Sequence, residues 1–331
     1  MPTAETSVST SAERKILLLR PRGFCAGVVR AIDVVKIALD LYGKPIYVRK
    51  EIVHNRHVVD ELREAGAIFV EELSEVPLGA RVIFSAHGVS PAVRQEAKQR
   101  QLQVIDATCP LVTKVHIEAV KFAKKGYTII LIGHKDHDEV IGTLGEAPES
   151  TILVSNVEDV DALDIPHPEK MSFITQTTLS LDETKDIVER LQQRFPTVMG
   201  PHAQDICYAT ENRQLAVKAV APECETLLVV GSQNSSNSRR LVEVCEKLGV
   251  PAYLVDDAGE VKPEWLATVN TVAVTAGASA PENLVEELVQ SLKAFGFSMV
   301  EEVEIKEEDV RFHLPAELGK AQLHTIASAR L

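Results

Sequence analysis

A cysteine stands at the head of the same α/β pattern three times in this chain, and any fold must accommodate that repeat. Cys25 opens the amphipathic stretch in GFCAGVVRAIDVVKIALDLYG, Cys109 the one in ATCPLVTKVHIEAVKFAKKG, and Cys207 the one in DICYATENRQLAVKAVAPECE. Apolar residues near i, i+3, i+4 and i+7 make each of these a helix, so each cysteine sits at a helix start. Each helix runs on to an apolar, β-branched segment, IYVRKEIVHN, YTIILIGHKDH or TLLVVGSQNSSN. Such runs suit strands buried on both faces of a parallel sheet.

A second helix, a short strand and a further strand follow in every copy, the last ending in a small polar cluster: ARVIFSAHG, KMSFITQTT or NTVAVTAGAS. A third helix closes the unit. The spacing from cysteine to the first polar loop is 29 residues to His54, 28 to His137 and 28 to Ser235. To the second cluster it is 62 to His87, 68 to Thr177 and 72 to Ser279. Parallel α/β units present their binding residues at the carboxyl ends of strands, beside helix N-termini. The pattern predicts an α/β protein of three similar units, each with a small parallel sheet, in a pseudo-threefold arrangement around a central site. The expected boundaries are a disordered tail over 1–14, units over 15–109, 110–206 and 207–310, and a C-terminal tail over 311–331.

The sequence of 331 residues contains five cysteines and no C-x-x-C pair, so neither a zinc ribbon nor a thioredoxin-type motif is indicated. Three equivalent thiolates leave a four-coordinate metal centre one ligand short, and an incomplete shell is where a substrate binds. Cys224 and Cys245 have no counterparts in the other two copies and are assigned to packing. The loops that carry His54, His87, His137, Thr177, Thr178, Ser235, Ser236, Asn237 and Ser279 offer hydroxyls, amides, imidazoles and helix N-termini. That chemistry holds a phosphate or diphosphate without Lys or Arg. Glu139 follows a first-strand histidine in GHKDHDEV and is the candidate proton donor, with Asp136 and Asp138 as neighbours that could share the role. His134 misses the repeat register and ranks below His137.

With a net charge of −13, the chain lacks the broad cationic surface that nucleic acids or anionic membranes require. Residues 1–14 lack the apolar core of ~7–15 residues that a secretory signal needs. No apolar run approaches the roughly 18 residues of a membrane span. A cytoplasmic protein is expected.

Eight of these segments, PRGFCAGV, EIVHN, FSAHGVS, DATCPLVTKVH, TQTTLS, DICYATENRQ, GSQNSSNS and VTAGASAP, occur in the order found in the LytB family of 4-hydroxy-3-methylbut-2-enyl diphosphate reductases, which the chain resembles from about Lys15 to about Glu317. The resemblance implies a 4Fe-4S cluster on Cys25, Cys109 and Cys207 whose fourth iron takes the substrate's hydroxyl oxygen. It implies reductive dehydroxylation of the allylic diphosphate to isopentenyl and dimethylallyl diphosphates, the last step of the non-mevalonate isoprenoid pathway. Glu139 then supplies protons and Thr177 stands near the hydroxyl. The diphosphate falls to His54, His87, His137, Ser235, Ser236, Asn237 and Ser279. One departure is Asp138, which stands where the family's His-Pro-Glu triplet has proline. No G-x-G-x-x-G fingerprint is present, so electrons are expected from a separate flavodoxin or ferredoxin.

Two other classes fit parts of the pattern. Zinc on the same thiolates would make a hydrolase or deaminase working through a metal-bound water. A non-catalytic diphosphate-binding or iron-sensing module would use the cysteines structurally, and it gives no reason for Glu139 beside Thr177 and Thr178.

Overall fold

The computed structural model describes residues 13–318. The chain enters on β1 (Arg14–Arg20) and continues through α1 (Ala26–Tyr42), β2 (Ile46–Arg49), α2 (Arg56–Ala65), β3 (Ala67–Val70), β4 (Arg81–Phe84), α3 (Pro91–Gln99) and β5 (Gln103–Asp106). The second copy comprises α4 (Pro110–Lys124), β6 (Thr128–Ile132), α5 (Asp138–Glu146), β7 (Thr151–Val154), α6 (Val157–Asp161), β8 (Met171–Thr175) and α7 (Leu181–Arg194). The third comprises α8 (Tyr208–Val220), β9 (Thr226–Val230), α9 (Ser236–Lys247), β10 (Ala252–Val255), β11 (Thr271–Ala276), α10 (Glu282–Ala294) and β12 (Phe297–Glu304).

Three parallel sheets result, ordered β3-β2-β4-β5, β7-β6-β8 and β10-β9-β11-β1-β12. In each, the first strand after the cysteine helix lies between the next two strands of its own copy. The apolar runs supply the reason. Every residue of β8 and β9 is buried, as expected of strands covered by helices on both faces. The edge strand β12 instead exposes Glu301, Glu302 and Glu304, charges that discourage pairing with another chain.

The strand that leads into each cysteine belongs to the preceding copy's sheet. β5 pairs with β4 and runs into Cys109. A single parallel bridge, Ser172 to Met199, occupies the corresponding place before Cys207. β1 pairs with β11 of the third copy, Lys15 opposite Thr271, and runs into Cys25. The three copies therefore close into a ring. This corrects two expected boundaries. Arg14–Arg20 is a strand of the third sheet, not the start of the first unit. Arg14 is also no part of a disordered tail, since its guanidinium donates to the Val269 carbonyl at 2.9 Å and to Phe295 at 2.7 Å. Residues 1–12 of that expected tail lie outside the described residues.

The C-terminal stretch packs as well, as far as it is described. Leu318 is buried in the core of the first unit, Leu314 packs against the same cluster, and Arg30 Nε donates to the His313 carbonyl at 2.7 Å. No helix among the described residues is long and apolar enough to cross a membrane.

Candidate active site at the centre of the ring

Cys25, Cys109 and Cys207 are the N-cap residues of α1, α4 and α8. Each backbone N–H is fixed to the polar cluster of the preceding copy: Cys25 to the Ala278 carbonyl at 3.1 Å, Cys109 to Ala86 at 2.9 Å and Cys207 to Thr177 at 3.0 Å. These three bonds are equivalent under the repeat, and they aim the thiols inward. All three cysteines line one cavity, and none is in a disulfide.

The cavity holds the thiols because Gly27 has no side chain. A Cβ at that position would lie 2.8 Å from Cys109 Sγ and 3.8 Å from Cys25 Sγ. Burial, together with the neighbouring Cys25, pushes the Cys109 thiol up to about 12 and Cys207 to about 11. Three crowded thiols, of which Cys109 and Cys207 resist ionisation on their own, are a donor set that a cation completes, so these residues fit a thiolate-bound metal cluster. Thr210 adds a hydroxyl 3.1 Å from Cys207 Sγ and a backbone N–H at 3.4 Å.

Glu139 forms one wall. It is 2% exposed, and its carboxyl accepts the Thr177 backbone N–H at 2.6 Å and the Thr177 hydroxyl at 2.9 Å. Desolvation outweighs both bonds and raises its pKa to about 7. The neighbouring acids are placed differently: Asp136 is exposed, and Asp138 is half-buried with a carboxylate oxygen within 4.8 Å of ring nitrogens of His54 and His87.

Three imidazoles line the same cavity. The His54 and His87 rings stack at 3.9 Å, and His137 stands edge-on to them at 5.4 and 5.9 Å. Each ring turns Nδ1 toward the protein. His54 Nδ1 is 3.1 Å from the Glu51 carboxylate, His87 Nδ1 is 3.3 Å from the Ser85 hydroxyl, and His137 Nδ1 accepts the Glu139 N–H at 3.2 Å. Burial, then the charges of its partner rings, holds His87 well below its ordinary value and His137 at about 3. Ser235 caps α9, and the Ser279 hydroxyl donates to the His54 carbonyl at 2.8 Å, joining the third copy to the first. Asn237 accepts the Ala278 N–H at 2.8 Å through Oδ1.

The structure brings together in this one cavity every site residue expected from the sequence, including Thr178 and Ser236. His134 is not among the lining residues; its N–H is taken by Gln176 Oε1 at 3.1 Å. Cys224 and Cys245 lie in the core of the third copy. Sequence reasoning missed Gly27, Tyr208, Thr210 and Phe312, which also line the cavity. Tyr208 and Thr210 follow Cys207 in the quoted DICYATENRQ, and their place in the first turn of a cysteine-capped helix was a usable signal. Phe312 comes from the C-terminal stretch and carried none.

A ring of three α/β units that turns three free thiols, a buried carboxyl and an imidazole cluster into one cavity has the form of an enzyme active site, one whose thiols fit a metal cluster. The comparisons specify it. The LytB protein family model matches residues 16–293, and the chain belongs to that family. It is 57% identical over 307 residues to a 4-hydroxy-3-methylbut-2-enyl diphosphate reductase of Tolumonas auensis, covering 92% of this chain and 99% of that one. Against 4-hydroxy-3-methylbut-2-enyl diphosphate reductase 1 of Mycobacterium tuberculosis it is 54% identical over 312 residues, covering 93% and 95%. The solved Plasmodium falciparum E-1-hydroxy-2-methyl-but-2-enyl-4-diphosphate reductase superposes with a TM-score of 0.92 at 42% identity, over 96% of this chain and all of that one. A second structure, of an (E)-4-hydroxy-3-methyl-but-2-enyl diphosphate reductase described as the terminal enzyme of the non-mevalonate pathway, gives 0.61 at 33% identity over 85% and 99%.

Proposed function

We propose that this chain catalyses the reductive dehydroxylation of 4-hydroxy-3-methylbut-2-enyl diphosphate to isopentenyl and dimethylallyl diphosphates in the cytoplasm. Two electrons and two protons enter, the allylic C–O bond breaks, and the hydroxyl leaves as water. The observation that carries the reading is the gathering, in one cavity, of three free thiols, a buried carboxyl and a cluster of imidazoles and hydroxyls. An allylic alcohol and its diphosphate would draw on both chemistries.

Cys25, Cys109 and Cys207 would hold a 4Fe-4S cluster, one from each unit, the units dividing near residues 109 and 206. When bound, that cluster supplies single electrons and a Lewis-acidic iron that the three cysteines leave without a protein ligand. The remaining work falls to the chain itself. Glu139, half protonated near neutrality, delivers a proton at the hydroxyl end, and Thr177 fixes its carboxyl by two hydrogen bonds. The Nε2 atoms of His54, His87 and His137, with Ser235, Ser236, Asn237 and Ser279, receive the diphosphate. Thr178 lines the same cavity and offers a further hydroxyl to the substrate. His137 can donate while neutral: its Nδ1 already accepts a backbone N–H, so its proton resides on Nε2. Electrons come from a small redox protein of flavodoxin or ferredoxin type.

The test is anaerobic turnover of the cluster-loaded protein with dithionite-reduced methyl viologen and the hydroxylated diphosphate. Formation of both isoprenoid diphosphates is expected; an iron-loaded, folded protein that leaves this substrate untouched overturns the reading.

A further inference from the structure

We infer that the outer face of α4, from Lys114 to Lys125, together with Arg30, is the docking surface for the electron donor, and that the donor is a small acidic redox protein. The inference rests on the proposed reductase reading and adds where the electrons enter.

A surface groove lined by Arg30, Thr108, Pro110, Lys114, Ile117 and Lys121, among others, runs along this helix. Thr108 and Pro110 flank Cys109, whose thiol faces the central cavity. The wall between groove and cavity is therefore one residue thick, and that residue is a proposed cluster ligand. Electron transfer needs short separation, and this is a thin part of the shell.

The charge of the face is opposite to that of the molecule. The chain carries −13 overall, yet the groove lining has three cations against the single carboxylate of Glu118. Lys114 is committed in part, to Asp205 at 2.8 Å and Glu118 at 3.7 Å. Arg30 spends its guanidinium on the carbonyls of Ala107, Thr108 and His313, with the carboxylates of Asp106 and Glu317 acting on it without a direct bond. Lys121, Lys124 and Lys125 stand exposed. With Lys114 they recur at helical spacing along one face, and Ile117 lies among them 48% exposed. Cations around an apolar residue are what an acidic partner with a small apolar contact would fit. A neighbouring groove flanks Cys25 through Phe24 and Ala26 and shares Arg30, but Asp33 and Glu308 there balance Arg30 and Arg311. Charge selects the α4 face over that one.

The experiment uses anaerobically prepared, cluster-loaded protein and purified oxidised flavodoxin, with binding measured by calorimetry as ionic strength is raised. The K121E/K124E variant reverses two exposed charges remote from the cavity, and K185E reverses an equally exposed lysine on α7 as a control. Binding of the parent should weaken steeply with salt, and K121E/K124E should lose on the order of tenfold or more at low salt while K185E does not. Flavodoxin-driven turnover should fall in parallel, with viologen-driven turnover unchanged. Equal flavodoxin affinity in parent and K121E/K124E, or an equal loss in K185E, overturns the docking site. Failure of viologen turnover in the parent would instead strike the reductase reading, and the binding comparison would still decide the docking surface.

Discussion

Thr177 holds the carboxyl of Glu139 by both its backbone N–H and its hydroxyl, while its carbonyl accepts the N–H of Cys207. One residue thus ties the proposed proton donor to a cysteine of the proposed cluster. The two hydrogen bonds stabilise the ionised carboxyl, yet burial dominates and leaves its pKa at about 7.

A pH dependence follows directly. The acid is the active form, so single-turnover reduction should decline as pH rises through about 7. Glu139→Gln keeps size and some hydrogen bonding but has no carboxyl proton, so turnover should drop by about 10²- to 10⁴-fold with binding retained. Thr177→Val removes one bond to the charged form and should move the inflection upward. Asp138→Asn should leave turnover largely intact. Near-parental turnover in Glu139→Gln alongside a large loss in Asp138→Asn would transfer the proton role to Asp138.

The five cysteines divide into two groups. Cys25→Ser, Cys109→Ser and Cys207→Ser should each abolish a stable cluster. Cys224→Ser and Cys245→Ser, in the core of the third copy, should leave iron and sulfide content near the parent's. Metal and sulfide analysis of anaerobic preparations decides it, and also separates iron–sulfur from zinc. Full iron loading of any of the first three variants counts against the ligand set.

Gly27→Ala tests whether the cavity needs its missing side chain. Within a helix, alanine is preferred to glycine by about 1 kcal/mol, so α1 should form as well as before. The added methyl meets Cys109 Sγ at 2.8 Å, which forces the sulfur or the helix start to move. Normal far-ultraviolet circular dichroism with sharply reduced iron uptake is the expected pair of results. Full iron uptake would mean that the thiols have more freedom than this packing indicates.

Much of this site is written in local pattern. Each cysteine announces itself because it begins a helix that has two copies elsewhere, and His54, His137 and Ser235 share an offset because they end equivalent strands. What stayed hidden depends on distant partners. β1 reads as a generic buried strand, and nothing local tells that Lys15 pairs with Thr271 across the closure of the ring. Gly27 resembles any small helical residue until Cys109, from another copy, is brought against it. The turning of every Nδ1 toward the protein is local by contrast, set by Glu51, Ser85 and the Glu139 N–H two or three residues from each ring; what is distant is the meeting of the three rings.

That common orientation makes diphosphate binding a proton-linked event. His137 donates through Nε2 without changing charge. His87 is kept neutral by burial and by its partner rings, and an anion at its edge offsets both effects. Binding should therefore take up protons, and affinity should fall as pH rises above neutrality. Inorganic diphosphate is a suitable probe, since it reports on this end of the cavity alone. Calorimetry in two buffers of different ionisation enthalpy measures the protons taken up at mildly alkaline pH. His54→Ala should weaken binding by roughly 1.5–3 kcal/mol, the range for a charge-assisted bond, and His87→Ala should reduce the uptake. Ser235→Ala should weaken binding with the uptake retained. His137→Ala should do the same, because its ring donates in the neutral form. An uptake of zero in the parent, or one unaltered in His87→Ala, would show that the three rings bind the anion without charging.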